Sequence, residues 1–344
     1  GYAWGNGPDW TSSLAIIPWN IYLFYNDLKL LADCYDNIKR YVDHITEISP
    51  EFITDWGLGD WVPVKSKTPK QFTSSIYYFV DVDILAKAAK LLNKEADYQK
   101  YSQLATQIKE AINPLYFDPE TAIYGSGFQT ELSTALFWGI VPEKYLERVA
   151  QNLAKKVIFD NRHIDVGLLG SKAILNALSE NEYPNLAYEV ATQQDFPSWG
   201  AWIKEGATTL FEDWKVDEDR KGAMSRNHIM FGEIGAWFYK ALGGIKPDPK
   251  HPGFKNILLE PHFVEGLDSF KAHHNGPRGE IQSVWKKIKG KVSYQVTVPP
   301  NSSATLTINE KKIIDDDEVK FSLNKKGAYQ AQLTSGSYHF KIKL

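Results

Sequence analysis

The sequence predicts a two-part chain in which antiparallel helical hairpins are followed by an antiparallel β-sandwich. Up to residue 242, apolar residues recur at helical spacing in about nine amphipathic segments, most of them joined by short turns. From residue 254 onward, short alternating polar and apolar segments are separated by turns, as in sandwich strands. We therefore expect a helical domain over 1–245 and a β-sandwich domain over 246–344.

Helical periodicity predicts a series of paired helices. The predicted helices span 12–26, 27–48, 72–93, 95–116, 129–139, 142–156, 167–178, 183–193 and 226–242. Pro142 is placed to open one helix, and Asn93 is placed to close another. Long segments rich in Gly, Asp and Trp recur on alternate joins, which places the function at one end of the helical array.

The last part of the chain predicts about eight strands. Examples of alternating segments are 255–260, 279–285, 292–298 and 338–342. They follow the Gly243-Gly244 pair, where the helical period stops.

Composition narrows the class of function. The formal charge of -3 provides no general field for attracting nucleic acid. No segment approaches the roughly 18 consecutive apolar residues of a membrane-spanning helix, so no membrane partner is expected. The single cysteine, Cys34, excludes an internal disulfide and a thiolate zinc cluster, and it leaves the compartment open. Common phosphate-binding and metalloprotease motifs are missing from the sequence, so neither a cofactor nor a metal is expected.

Aromatic residues make up 13% of the sequence, with 11 Trp and 18 Tyr. Several of them lie beside Gly, Asp or Pro instead of inside apolar runs. Such a neutral, aromatic-rich chain is suited to sugars, whose C–H faces stack on indole rings. The alternative is a core that is simply rich in tryptophan.

The densest group of candidate catalytic residues lies between residues 197 and 228. Glu212 is flanked by Phe211 and Trp214, so a partly dry pocket is expected to tune its proton affinity for general base catalysis. His228 is placed to donate a hydrogen bond to a sugar hydroxyl or to orient a water. The alternatives are a salt bridge at a helix start for Glu212 and a structural role for His228.

Two further loops carry candidate sugar-binding residues. Trp61 is expected to form a stacking wall, and Asp60 to accept hydrogen bonds from two sugar hydroxyls, unless Asp60 only caps a turn. Asp9 and Trp10 lie just ahead of the first predicted helix, and the alternative for that segment is a frayed terminus.

From Trp10 to about Trp285 the sequence resembles the bacterial α-L-rhamnosidases. The matching strings are Ile16-Ile17-Pro18-Trp19, Gly59-Asp60-Trp61, Gln129-Thr130, Gly167-Leu168-Leu169-Gly170, Pro197-Ser198-Trp199-Gly200, Gly206-Ala207-Thr208-Thr209, Asn227-His228, Phe231-Gly232, Gly243-Gly244-Ile245 and Pro252-Gly253-Phe254. The resemblance implies an (α/α)6 toroid followed by a β-sandwich, and an inverting glycoside hydrolase. It also implies a rhamnose-containing oligosaccharide or glycoside as substrate, and a periplasmic or secreted complete protein.

The resemblance also implies residue roles. Glu212 matches the general base that activates water, and His228 matches a sugar-contacting histidine. Trp10 and Trp61 match the aromatic walls around rhamnose, and we include Trp199 among the sugar-binding residues.

Two departures from the family pattern change the expectations. This chain has Trp10-Thr11-Ser12 where the family commonly has Trp-Gly-Asp, so a polar contact there is expected to differ. The upstream Asp-Glu-Arg string that supplies the general acid in the family has no counterpart here. Six hairpins need twelve helices, roughly three more than the chain offers. We therefore expect a missing N-terminal segment, or a separate chain, to carry the acid, with Asp9, Asp55 and Asp60 as substitutes within this chain.

The predicted function is the removal of terminal α-L-rhamnose from plant polysaccharides or glycosides by inverting single displacement. One alternative is a non-catalytic carbohydrate-binding remnant, since half of the acid and base pair is absent. Another is an (α/α)6 glycosidase that acts on a different sugar.

Overall fold

The computed structural model describes residues 7–215, 224–309, 312–315 and 319–344. The α-helices of these ranges are α1 (Pro8–Thr11), α2 (Ser13–Tyr25), α3 (Leu28–Ile48), α4 (Lys70–Leu91), α5 (Glu95–Tyr116), α6 (Gln129–Phe137), α7 (Leu146–Phe159), α8 (Leu168–Glu180), α9 (Pro184–Ala191), α10 (Trp199–Lys204) and α11 (Glu233–Trp237). Short 3₁₀ turns occupy Glu143–Tyr145 and Ile229–Phe231, and a π-helical turn occupies Phe238–Leu242.

Helices α2 to α9 confirm eight of the nine predicted helices, with ends displaced by at most a few residues. The last predicted helix, 226–242, is instead broken into three short turns. Gly232 and Gly235 fall within it, and glycine is a poor helix former. Pro142 precedes a 3₁₀ turn, so helix α7 begins only at Leu146.

Burial divides the hairpins into inner and outer helices. Helices α4, α6 and α8 are buried on most sides and carry many small polar residues. Helix α3 buries a single stripe, as an amphipathic outer helix does. Because each inner helix follows a long loop, the loops gather at the N-terminal ends of the inner helices.

The strands form a short hairpin between α5 and α6 and two five-stranded sheets after the helices. Within the described ranges they are β1 (Phe117–Asp118), β2 (Ile123–Tyr124), β3 (Ile245–Pro247), β4 (Asn256–Leu259), β5 (Ser269–Gly276), β6 (Gly279–Ile288), β7 (Lys291–Val298), β8 (Ser303–Ile308), β9 (Lys312–Asp315), β10 (Ser322–Leu323), β11 (Tyr329–Leu333) and β12 (Gly336–Lys343). The sheet orders are β10-β11-β8-β4-β3 and β5-β6-β7-β12-β9.

The prediction of an entirely antiparallel sandwich needs one correction. Strands β4 and β8 run parallel, with Ile257 opposite Ala304. The three strands between them in sequence belong to the other sheet, so the chain returns to β4 in the same direction. A prediction from local turns has no means of detecting such a crossover.

A single apolar core lies between the two sheets. Ile257 and Leu306 contribute from one sheet, and Trp285 and Tyr294 from the other. The indole N–H of Trp285 donates to the Leu242 carbonyl at 2.8 Å, which satisfies the polar atom of this buried ring.

The chain forms two compact units, and each unit contains two separate segments of the sequence. Residues up to Trp19 and Leu31–Ile234 form the first unit. The segment Asn20–Leu30 belongs with Gly235–Leu344 in the second. Within that second unit the Gly253 amide donates to the Leu23 carbonyl at 2.8 Å. None of the helices in the described ranges has the length and apolar character of a bilayer-spanning segment.

The core of the second unit gives a stability prediction. Leu306→Ala should lower the free energy of unfolding by about 2–5 kcal/mol, because a fully buried leucine is lost from a packed interface. Gln295→Ala is the control, since Gln295 is exposed on β7 and should change stability by about 0.5 kcal/mol at most. Denaturant unfolding of both variants measures the difference, and equal midpoints would contradict the packing described here.

Candidate active site

The predicted site residues lie in loops and short helices between the long helices. Helix α1 carries Asp9 and Trp10 just before α2, and the loop 49–69 carries Asp60 and Trp61 just before α4. Glu212 lies in the described segment 205–215, and His228 lies at the end of the described segment 224–228.

The carboxylate of Asp60 caps helix α8. One oxygen accepts hydrogen bonds from the Leu169 and Gly170 amides at 2.8 and 3.1 Å. The other accepts from the Gly167 amide at 2.7 Å and from the Thr130 hydroxyl at 2.5 Å. Burial raises the pKa of Asp60, and these four hydrogen bonds oppose that rise. This arrangement supports the capping alternative for Asp60, because its carboxylate accepts four hydrogen bonds from the protein instead of two from sugar hydroxyls.

Asp9 also binds backbone amides, those of the loop that contains Leu58 and Gly59. Its buried carboxylate accepts from the Leu58 and Gly59 amides at 3.0 and 2.7 Å. Gly57 lies so close that an added Cβ would stand 2.6 Å from the Asp9 carboxylate. Burial raises the pKa of Asp9, while the same backbone hydrogen bonds lower it. Asp9 thus holds the loop that leads to Asp60, and it does not lie in a frayed terminus.

The two predicted aromatic walls meet. Trp10 and Trp61 are both half-buried, and their ring centroids lie 6.2 Å apart at an interplanar angle of 88°. The Trp61 carbonyl accepts from the Leu168 amide at 2.9 Å, which fixes the Trp61 backbone on helix α8. A Cβ on Gly167 would overlap that carbonyl, so glycine is required there.

Glu212 and His228 lie on two neighbouring backbone segments. The Glu212 amide donates to the Ser225 carbonyl at 2.8 Å, and the His228 amide donates to the Leu210 carbonyl at 2.9 Å. One Glu212 oxygen, Oε2, accepts from the Ser225 amide at 2.9 Å. Glu212 is half-buried, and in the described part of the chain its Oε1 atom has no donor.

The ring of His228 is oriented by the backbone. Its Nδ1 atom accepts from the Met230 amide at 3.1 Å. In a neutral imidazole this leaves the proton on Nε2, which becomes the hydrogen-bond donor of the ring.

An aromatic cluster anchors the segment that carries Glu212. Trp214 is buried, donates to the Val166 carbonyl at 2.8 Å and stacks on Trp202 with centroids 4.9 Å apart. Phe231 lies 4.2 Å from the Trp214 ring. The sequence marks Trp214 as a neighbour of Glu212, and the structure gives it the additional role of holding the loop on the segment before α8.

Trp199 belongs to this cluster. It is only 5% exposed, and its N–H donates to the Phe231 carbonyl at 3.1 Å. Its ring packs edge-on against Trp214 at 5.2 Å. This burial supports the tryptophan-rich core as the role of Trp199 in place of a sugar-stacking surface. A tryptophan followed by a glycine is compatible with either role, so the sequence does not distinguish a core tryptophan from a sugar-stacking one.

Sequence reasoning missed the polar residues that join the loops. Asp165 accepts from the Lys65 amide at 2.9 Å and from the hydroxyl of Ser66. The Asp165 amide in turn donates to Gln129 Oε1 at 2.9 Å. The only sequence signal was Gln129-Thr130 at the start of a predicted helix, which the family resemblance includes without assigning a role.

Asp81 was also missed, because it lies in the middle of helix α4. It is fully buried, and the Ser12 hydroxyl lies 2.8 Å from its Oδ2 atom, while Oδ1 has no partner in the described ranges. The same hydroxyl contacts the Pro8 carbonyl. A serine has one proton for these two acceptors, so a proton on Asp81 completes both hydrogen bonds. Burial raises the pKa of Asp81 well above its usual range.

Asp55, a candidate substitute acid, is exposed on its loop and has no hydrogen-bond partner in the described chain. No group of three or more His, Cys, Asp or Glu residues in the described ranges is placed to hold a metal ion.

Comparisons with known proteins cover nearly the whole chain. Residues 1–242 match the family model described as the bacterial alpha-L-rhamnosidase 6 hairpin glycosidase domain, and residues 244–320 match the bacterial alpha-L-rhamnosidase C-terminal domain. A curated alpha-L-rhamnosidase from Formosa agariphila is 28% identical over 97% of this chain.

Solved structures give the same result. The alpha-L-rhamnosidase from Dictyoglumus thermophilum aligns with a TM-score of 0.89 and 33% identity, over 98% of this chain and 40% of that one. The Streptomyces avermitilis alpha-L-rhamnosidase, solved with L-rhamnose, aligns with a TM-score of 0.90 and 26% identity, over 97% of this chain and 33% of that one. The chain spans between 33% and 38% of the length of the first two curated relatives it matches.

Stability measurements separate the two roles considered for Asp60. Asp60→Ala should lower the free energy of unfolding by about 2–3 kcal/mol, because buried amide donors lose a charged acceptor. Asp55→Ala, on the same loop but exposed, should change it by about 0.5 kcal/mol at most. Thermal or urea unfolding tests this, and an unchanged stability for Asp60→Ala would return Asp60 to the sugar-binding role.

The raised pKa of Asp81 predicts a dependence of stability on pH. The pKa of Asp81 is higher in the native state than in the unfolded state, so protonated Asp81 contributes its full stabilisation below pH about 4. That contribution to the free energy of unfolding is lost as the pH rises toward the native pKa. Asp81→Asn should therefore gain stability relative to the wild type by about 1.4 kcal/mol per pH unit across that window. Tyr41, from helix α3, lies near Asp81, and its pKa is raised chiefly by burial.

Urea unfolding at several pH values from 4 to 8 measures this difference. Asp83→Asn is the matched control, because Asp83 lies on the same helix and pairs with Lys87 at the surface. Parallel stability curves for Asp81→Asn and the wild type would mean that Asp81 is ionised in the native state.

Proposed function

The chain belongs to the bacterial α-L-rhamnosidase family, and from this premise we propose that the protein containing it removes terminal α-L-rhamnose from plant polysaccharides or glycosides. The observation that carries the proposal is the placement of Glu212. Its carboxylate is fixed by the Ser225 amide through one oxygen, while the other oxygen has no donor in the described chain. A general base needs this combination of a fixed position and an open oxygen.

The proposed reaction is a single displacement with inversion. Glu212 Oε1 accepts a proton from a water as the water oxygen bonds to the anomeric carbon, and the bond to the leaving oxygen breaks. A carboxylic acid on the other side, about 6.5–9.5 Å from the base, protonates that oxygen. No cofactor takes part in these steps.

We infer that the acid comes from outside this chain, from an N-terminal segment or a separate chain. Asp9 and Asp60 are both occupied by backbone amides and hold loops in place. Asp55 is exposed on its loop and is not enclosed in a pocket that would exclude water.

The remaining predicted residues are proposed to hold the sugar. The Trp10–Trp61 pair offers ring surface for the apolar face of rhamnose, and His228 Nε2–H is the donor for a ring hydroxyl. Asp60 supports this arrangement through the backbone of helix α8, and Trp199 supports it from within the aromatic cluster.

Replacing the proposed base tests the assignment. In the complete protein, Glu212→Gln should lower the rate of p-nitrophenyl α-L-rhamnoside hydrolysis by several orders of magnitude, because the amide cannot take the proton from water. Rhamnose binding, measured by calorimetry, should persist. Glu205→Gln is the control, since Glu205 is exposed just before the same segment.

Retained turnover by Glu212→Gln would remove Glu212 as the base. A complete wild-type protein that binds rhamnose without hydrolysing any rhamnoside would favour the non-catalytic alternative instead.

A further inference from the structure

A second aromatic group lies on the loop that carries Trp61. Trp56 is half-buried, and its ring contacts two side chains of helix α3. The Tyr41 ring lies 6.0 Å away at an angle of 47°, and the His44 ring lies 5.4 Å away in an edge-on arrangement. Trp56 therefore rests on two rings that fix its orientation while part of its own ring stays accessible.

Two polar side chains accompany this ring, one from the same loop and one from helix α3. Asp55 and His44 are exposed, and the described chain provides neither with a hydrogen bond or an ion pair. Many other polar groups of these loops, Asp9 and Asp60 among them, are engaged by backbone or side-chain atoms. An accessible aromatic ring, with an exposed imidazole against it and an exposed carboxylate on the preceding residue, suits a sugar, which binds through its C–H face and its hydroxyl edge.

The backbone holds Trp56 firmly. The Trp56 amide donates to the Thr54 hydroxyl at 3.3 Å. The peptide groups of Thr54 bond to the Ser75 side chain of helix α4 at 3.0 and 3.2 Å. A binding surface built in this way loses little conformational freedom when a ligand arrives.

Trp56 also lies next to the proposed rhamnose site. A Cβ on Gly7 would overlap the Trp56 carbonyl, so the segment leading to Asp9 and Trp10 runs against it. The following residue, Gly57, lies against the Asp9 carboxylate. The backbone around Gly7 and Gly57 thus connects Trp56 to the Trp10–Trp61 pair.

We propose that Trp56, with His44 and Asp55, forms a second sugar-binding subsite that holds a sugar of the leaving group. This inference rests on the proposed function, because a terminal rhamnose has its only sugar neighbour on the leaving-group side. Asp55 accepts hydrogen bonds from the hydroxyls of that sugar, and Trp56 stacks on its ring. The subsite therefore favours an oligosaccharide over a simple alkyl rhamnoside such as methyl α-L-rhamnoside.

Comparing two substrates tests the subsite. In the complete protein, Trp56→Ala should raise KM for a rhamnose-terminated trisaccharide about tenfold, the equivalent of about 1.4 kcal/mol of lost stacking. Its KM and kcat for methyl α-L-rhamnoside, whose methoxy leaving group is too small to stack on Trp56, should stay unchanged, and so should kcat for the trisaccharide. Trp56→Phe keeps a stacking ring and should restore most of the trisaccharide affinity.

The matched control is Tyr98→Ala. Tyr98 is also a half-buried aromatic, but it lies near the start of α5, next to the opposite end of helix α4 from this loop. It should leave both substrates unaffected. Equal effects of Trp56→Ala on both substrates, or an effect on neither, would overturn the subsite.

Failure of the proposed function gives a different result. If the wild type hydrolyses neither substrate, calorimetric titration of the wild type and Trp56→Ala with the trisaccharide decides the matter. An affinity about tenfold weaker in the variant would support a sugar-binding subsite in a non-catalytic protein, and equal affinities would overturn it.

Discussion

The capping of helix α8 by Asp60 is the interaction on which much of the candidate site depends. A single carboxylate joins three segments that are far apart in sequence: its own loop, the start of α6 through Thr130, and the start of α8 through Gly167 and Leu169. The first amides of a helix have no partner within the helix, so a buried helix start needs such an acceptor. Trp61, the next residue, is thereby placed against Trp10.

The loop with Glu212 is held by a different means. The Trp214 ring is buried between Trp202 and Phe231, and this apolar burial anchors the loop. A hydrogen bond from the Trp214 indole N–H to the Val166 carbonyl fixes the orientation of the ring. Val166 directly precedes Gly167, one of the residues bound by Asp60. The two parts of the site are therefore fixed on the same short segment before α8, which couples the position of the base to that of the aromatic walls.

Much of the fold was predictable because it depends on local periodicity. Helices such as α3 and α5 bury one stripe, and their spacing in the sequence shows it directly. The parallel pairing of β4 with β8 was not predictable, since it depends on which strands enter the other sheet. Placing Asn20–Leu30 with the second unit likewise depends on contacts between distant residues.

The sequence predicted which residues belong to the candidate site better than it predicted the role of each residue. The residues stand in unusual loops, which single them out, but a tryptophan in such a loop looks the same whether it is buried, as Trp199 is, or half-buried, as Trp61 is. Asp81 carried no signal, because one acidic residue within a helix usually marks an exposed position.

The carboxylates of the site differ mainly in how many donors the protein gives them. Asp60 has four donors, and Asp9 receives two backbone amides and the Ser74 hydroxyl, so both are committed to holding loops. Asp81 has a single hydroxyl neighbour in a fully buried position, and burial raises its pKa well above the usual range. Glu212 lies between these cases, with one backbone donor and partial access to solvent. A carboxylate in this state keeps its place and still has an oxygen with which to take a proton, and for this reason the chemistry of the chain is best assigned to Glu212.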